Sequence, residues 1–289
     1  MLNLFRWLAR QPLWLLHAIG GPLGWLTYLL SPSYRRRFRE NVAQAGVNPR
    51  DARPAIAQAG RLVTESPYLW MRPPDRAIAP PVAWSGAELI PQAYAQGHGI
   101  VFLTPHLGSF EITAQAVAER YAGEYGPLTV MYRPARKKLL REVMDGARER
   151  PGMATAPASL AGVRLMIRAL RRGEAVGLLP DQVPPDGMGA WAPFFGRDAY
   201  TMTLAARLIQ QTGAVPLLIW GERLPRGAGF AVHVSAMTER LPEGSDEAAQ
   251  AESARLVNQA MERLVLERPG QYLWGYNRYK QPRKNTGFD

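Results

Sequence analysis

His106 and Glu111, in the run His106-Leu107-Gly108-Ser109-Phe110-Glu111, are the residues best placed by type and spacing to do chemistry in this 289-residue sequence. The run follows the apolar stretch Ile100 to Leu103 and precedes a segment whose helical periodicity resumes near Ser109. A turn from a buried strand into a helix sets side chains at the open edge of a sheet, where ligands usually bind. Five positions let a carboxylate in the first helical turn reach back towards an imidazole on the preceding loop. A carboxylate on Nδ1 would fix the tautomer and leave Nε2 free as a base. The chemistry this predicts is removal of a proton from a hydroxyl, for direct transfer to an electrophile. Plainer readings stand beside it: Glu111 as an acid favoured at a helix start, and His106 as a hydrogen-bonded core histidine.

Other chemistries lack their residues. There are no cysteines, so disulfides and thiolate nucleophiles are excluded. No Gly-x-Ser-x-Gly elbow occurs, no Walker loop, and no Gly-x-Gly-x-x-Gly after a strand. With four histidines and no His-Glu-x-x-His run, no metal is expected.

The elements that must position the pair follow from periodicity. Short apolar runs at 100–103, 128–134, 175–182 and 214–224 read as buried strands, and 230–237 alternates as a half-exposed one. A strand and then a helix are expected within 82–95. Helical spacing marks 33–48, 51–72, 137–149, 158–173, 201–213 and about 245–268. Alternating strands and helices predict an α/β fold with a mostly parallel central sheet flanked by helices. The simplest division is a membrane-associated helical segment, 1–32, and a catalytic domain, 33–289.

That first segment carries the run 13–30, between Arg6 and Arg10 on one side and Arg35, Arg36, Arg37 and Arg39 on the other. It is slightly short for a span, and Gly20-Gly21-Pro22 interrupts it. The expected form is a pair of short interfacial helices anchored by Trp7, Trp14 and Trp25, with the arginines on lipid phosphates. A true span and a buried hairpin are the competing readings. The whole chain has 35 Lys and Arg against 24 Asp and Glu, a net +11. Anionic membrane, an acidic carrier protein and nucleic acid all suit such a charge, but no nucleic-acid module is recognisable and none is expected as a partner.

Five motifs in order carry a resemblance. His106-x4-Glu111 resembles the signature of the glycerolipid acyltransferase superfamily. Tyr132-Arg133-Pro134, Leu179-Pro180-Asp181-Gln182, Pro193-Phe194-Phe195-Gly196 with Ala199 and Thr201, and Pro269-x-Gln271-Tyr272-x-Trp274 with Arg278-Tyr279-Lys280 resemble the late lipid A acyltransferases of Gram-negative bacteria. The likeness runs from about residue 35 to 281. It implies a donor, acyl-acyl carrier protein, with no other cofactor. It implies an acceptor hydroxyl on a lipid A precursor and work at the cytoplasmic face of the inner membrane. By position His106 would be the base and Glu111 its orienting partner. Arg133 would hold a developing oxyanion or a phosphate, or else make an ordinary ion pair. Asp181 and Gln182 would shape the acceptor pocket, or serve only as turn residues before Pro184-Pro185. Phe195 and Thr201 are candidate substrate contacts, and the aromatic loop Trp191 to Phe195 reads equally as acyl pocket, lipid contact or core. The sequence departs from the pattern at Lys137, where the family often has Asn, and in its shorter, more broken N-terminal anchor. Rival readings are an acyltransferase with another lipid acceptor and an inactive lipid-binding homologue.

Overall fold

The computed structural model describes residues 2–73, 76–132, 150–244 and 246–283. The expected helix 137–149 and the candidate Arg133 lie outside them. Seven strands form one sheet: β1 (Ala83–Ser85), β2 (Ile100–Leu103), β3 (Leu128–Tyr132), β4 (Met153–Pro157), β5 (Ala175–Leu178), β8 (Val215–Arg223) and β9 (Phe230–Ala236), in the order β1-β9-β8-β2-β5-β3-β4. Each pairing is parallel except β8 with β9. The mostly parallel α/β sheet read from the sequence is therefore present.

Alternation along the central strands divides the core into two layers. Ile100, Phe102, Ala175, Leu217 and Ile219 face α7 (Phe110–Tyr125). Val101, Leu103, Val176, Leu178 and Trp220 belong to the other layer, with α8 (Leu160–Arg171), α9 (Leu204–Thr212) and α10 (Glu247–Glu267). Strands covered on both faces read as unbroken apolar runs, which is why β2 and β5 are legible.

The structure differs from expectation at three places. A two-stranded antiparallel hairpin, β6 (Gly189–Phe194) and β7 (Arg197–Met202), occupies the stretch read as loop and helix start. Its turn is Phe195-Gly196, both with positive φ. β4, in an alanine-rich segment, was not anticipated. The third difference is that 13–30 is one continuous helix, α2 (Leu13–Leu30), with Pro22 inside it, and not two short ones. A preceding helix, α1, covers Leu2–Ala9.

Packing explains why the helix-breaking residues are tolerated. α2 lies on α5 (Pro54–Trp70), and its buried face is Leu13, Leu16, His17, Gly20, Gly21 and Gly24. A Cβ at Gly60 would overlap the backbone of Gly20 and Gly24, and one at Gly24 the Ile56 carbonyl. The glycines thus mark where two helix backbones touch. A buried triad adds to this. Glu65 of α5 hydrogen-bonds His17 Nε2 and accepts from Arg223 Nε of β8, each at 2.8 Å, and its other oxygen lies 2.7 Å from Arg223 Nη2 as an ion pair. Burial opposes its charge, but Arg223 and His17 outweigh burial and bring the Glu65 carboxyl down to about 2. Gly60→Val is expected to destabilise the protein by roughly 3 kcal/mol, the upper range for overpacking. Urea unfolding midpoints of the two proteins check this.

Candidate active site

Strand register brings the site together. In the parallel pair β2 and β5, Leu103 stands opposite Leu178. Three residues beyond each lie His106 and Asp181. His106 Nδ1 is 2.7 Å from Asp181 Oδ1, and the His106 backbone N–H donates to Asp181 Oδ2 at 2.9 Å. Tyr272 donates its hydroxyl to the same Oδ2 at 3.3 Å. Asp181 is 2% exposed. Burial by itself would raise its pKa. The charge and hydrogen bonds of His106, with Arg278 nearby, overcome this and hold the carboxyl below its ordinary value. An ionised carboxylate only accepts hydrogen bonds, so Nδ1 carries the proton. Nε2 then presents a lone pair, which accepts from the Gln182 side-chain amide at 3.0 Å. The Phe110 ring packs edge-on to the imidazole, with centroids 4.7 Å apart.

The carboxylate on Nδ1 is thus Asp181, whereas the sequence reading puts Glu111 there. Glu111 sits in the first turn of α7, as expected. Its side chain lines the cavity beside His106 and forms no hydrogen bond or ion pair among the described residues. Helix α7 starts one residue before it and sets its direction, while the β2–β5 register delivers Asp181 to the ring.

The cavity has a volume of about 650 Å³. His106, Glu111 and Gln182 line its polar part. Phe102, Leu128, Val130 and Gly177 from the sheet, with Val117 from α7, line an apolar part. Leu160 and Val163 of α8, Met188, and Leu204 and Arg207 of α9 complete the walls. A mostly apolar lining with a few polar groups suits a hydrocarbon chain.

Two candidates lie elsewhere. Thr201 is fully buried; its hydroxyl bonds the Ala199 carbonyl, Asn258 and Arg278 and does not line the cavity. Phe195 lies at the β6–β7 turn against Trp274, its N–H bonded to Glu262 and its carbonyl to Gln44. Residues the sequence did not nominate are Tyr272, Tyr276 and Arg278. Tyr272 and Arg278 stand in the C-terminal motif without a site role attached, and Tyr276 has no signal beyond a tail dense in aromatics.

An α/β sheet carrying an oriented histidine at the edge of an apolar cavity defines a protein equipped to activate a nucleophile beside a lipid-like chain. The profile of the bacterial lipid A biosynthesis acyltransferases matches residues 2–281, and the chain belongs to that family. Among its relatives is the lipid A biosynthesis lauroyltransferase of Escherichia coli K12, 28% identical over 223 residues, which are 76% of this chain and 68% of that one. The palmitoleoyltransferase of the same organism is 25% identical over 225 residues, covering the same shares. Its myristoyltransferase is 27% identical over 261 residues, 87% of this chain and 77% of that one.

Proposed function

We propose that this protein transfers a fatty acyl group from acyl-acyl carrier protein to a hydroxyl of a lipid A precursor, at the cytoplasmic face of the inner membrane. The observation that carries the reading is His106 held through Nδ1 by a buried carboxylate, with Nε2 turned to a cavity that is largely apolar. The acceptor hydroxyl takes the place of the Gln182 amide at Nε2. Nε2 removes its proton as the oxygen attacks the thioester carbonyl carbon. The tetrahedral oxyanion collapses, the C–S bond breaks, and the imidazolium returns the proton to the departing thiolate. The products are the ester and the free carrier thiol, with no acyl-enzyme and no metal or organic cofactor. Asp181 stabilises the imidazolium between the two steps. Glu111, facing the same space, is assigned to the acceptor, as a hydrogen-bond acceptor for its hydroxyls.

Two surfaces support the partners. α8 exposes Arg164, Arg168 and Arg171, which pair with no acid among the described residues, and its first turn lines the cavity. Such a face complements an acidic carrier protein. The N-terminal helices expose Leu4, Trp7, Trp14, Leu23, Leu26, Leu29 and Leu30. By length and composition α2 is apolar enough to cross a membrane. A crossing orientation would draw Arg61 and Glu65 of the attached α5 into hydrocarbon, which is expensive. Lying in the interface leaves the exposed apolar face in lipid and the arginines at phosphates.

The test supplies the purified protein with acyl-acyl carrier protein and either a tetra-acylated lipid A precursor or a lysophospholipid, and products are read by mass spectrometry. The precursor is expected to gain one acyl chain. Transfer to the lysophospholipid alone would move the acceptor to another lipid class, and no transfer to either would favour a lipid-binding homologue.

A further inference from the structure

The segment from Pro269 to Arg278 crosses both loops of the site. From the first loop, the Gly108 N–H donates to the Gln271 carbonyl at 3.0 Å, and the His106 carbonyl accepts from the Leu273 N–H at 3.3 Å. From the second, the Asp181 carboxylate accepts from the Tyr272 hydroxyl, and the Val183 N–H donates to the Tyr276 hydroxyl at 3.0 Å. The segment is itself held firmly. The Gln271 side chain bonds the backbone N–H and carbonyl of Arg223 on β8, at 3.0 and 3.1 Å. Trp274 is 1% exposed, and Asn41 donates to the Trp274 and Tyr276 carbonyls. Arg278 bonds Tyr200, Thr201 and Asn258.

We infer that residues 271–276 form a strap that positions the His106–Asp181 pair, with Tyr272 as its positioning residue. The inference rests on the acyl-transfer reading for its purpose, though not for its geometry. A carboxylate turns about a soft torsion and has no preferred facing of its own. Here Oδ2 is occupied by two donors on different segments, the His106 N–H and the Tyr272 hydroxyl. That leaves Oδ1 directed at Nδ1. The Tyr272 side chain is buried, so its hydroxyl has no water to turn to and a strong reason to keep this bond. Burial first, and then the Asp181 charge, push its phenol well above 10, so it remains a donor. The ionisable groups around the pair are His106 itself from the first loop, Glu111 on the cavity side, and Tyr272 and Arg278 from the C-terminal segment. None but Tyr272 both touches Asp181 and belongs to the strap.

The experiment compares the full chain with Tyr272→Phe, which removes only the hydroxyl. Histidine-labelled protein has four imidazoles, and the His106 signals are assigned by their loss in His106→Ala. Tyr121→Phe is the control: it removes a buried hydroxyl that bonds the Ala87 carbonyl and touches neither loop. In Tyr272→Phe the His106 Nδ1–H signal is expected to move, with kcat down about tenfold, the loss of one hydrogen bond's worth, and KM unchanged. In Tyr121→Phe that signal does not move. Identical His106 signals in Tyr272→Phe and wild type would overturn the strap, as would an equal shift in the control. Should Tyr272→Phe fail to fold, Tyr276→Phe carries the same test through the Val183 contact. If wild type transfers no acyl chain while the His106 signals still respond, the strap stands and the acyl-transfer reading fails.

Discussion

His106→Ala is expected to lower the acyl-transfer rate on the order of 10³-fold, with the chain still folded. General-base assistance contributes about 10² to 10⁴, and no second imidazole lines the cavity among the described residues. The loss should fall mainly on kcat, because the proton passes to Nε2 only as the oxygen attacks. If the proposed donor places its chain against the apolar wall of Phe102, Leu128, Val130 and Val117, KM for that donor should change little. Removing the imidazole also leaves Asp181 buried with fewer partners. The backbone N–H, Tyr272 and nearby Arg278 remain, so the destabilisation should stay at about 1–3 kcal/mol. Steady-state kinetics beside a urea titration separate the two effects. Acyl transfer that persists in the folded variant would remove His106 from the role of base.

How far the sequence leads depends on whether an interaction is local. β2 and β5 are legible because both faces of each are covered, so their side chains are apolar without interruption. His106 and Glu111 are legible because they flank one turn. The partner of His106 was not, for Asp181 lies 75 residues away and reaches the ring only through strand register. Along the chain Asp181 is marked only by its motif, as a pocket or turn residue, and nothing local ties it to the imidazole. Gly20, Gly21 and Pro22 disfavour helix locally, so the sequence alone predicts a break in α2. Its continuity comes from α5, where Thr64 and Gly60 approach so closely that Gly20 and Gly24 can carry no side chain. The β6–β7 hairpin is not legible along the chain, because Pro193 and the Phe195-Gly196 turn obscure its alternation. A motif points to Phe195 and Thr201; the packing of half-buried Phe195 on Trp274 and the bonds of buried Thr201 to Asn258 and Arg278 place them in the framework behind the site.

The exchange Asp181→Asn tests that nonlocal contact with almost no change in volume. Its orientation is set by what surrounds it. Two donors, the His106 N–H and the Tyr272 hydroxyl, converge on the Oδ2 position, so the asparagine oxygen must occupy that place. The amide nitrogen then takes the place of Oδ1 and offers a proton to Nδ1. The imidazole responds by moving its own proton to Nε2, where it can no longer accept one from a hydroxyl and where it meets the Gln182 amide donor. Transfer is expected to fall by about 10³ or more, as when the carboxylate of a catalytic triad is made an amide. The loss should persist across the pH range, because the tautomer and not the titration is at fault. Stability carries a second signature. Asp181 has a folded pKa below its unfolded value, so its charge contributes stability above the ordinary carboxylate range, and this is lost as pH falls through the folded pKa. The stability gap between wild type and Asp181→Asn should therefore be widest near neutrality and close on acidification. A variant that keeps wild-type transfer, or a gap that does not change with pH, would sever Asp181 from the imidazole it contacts.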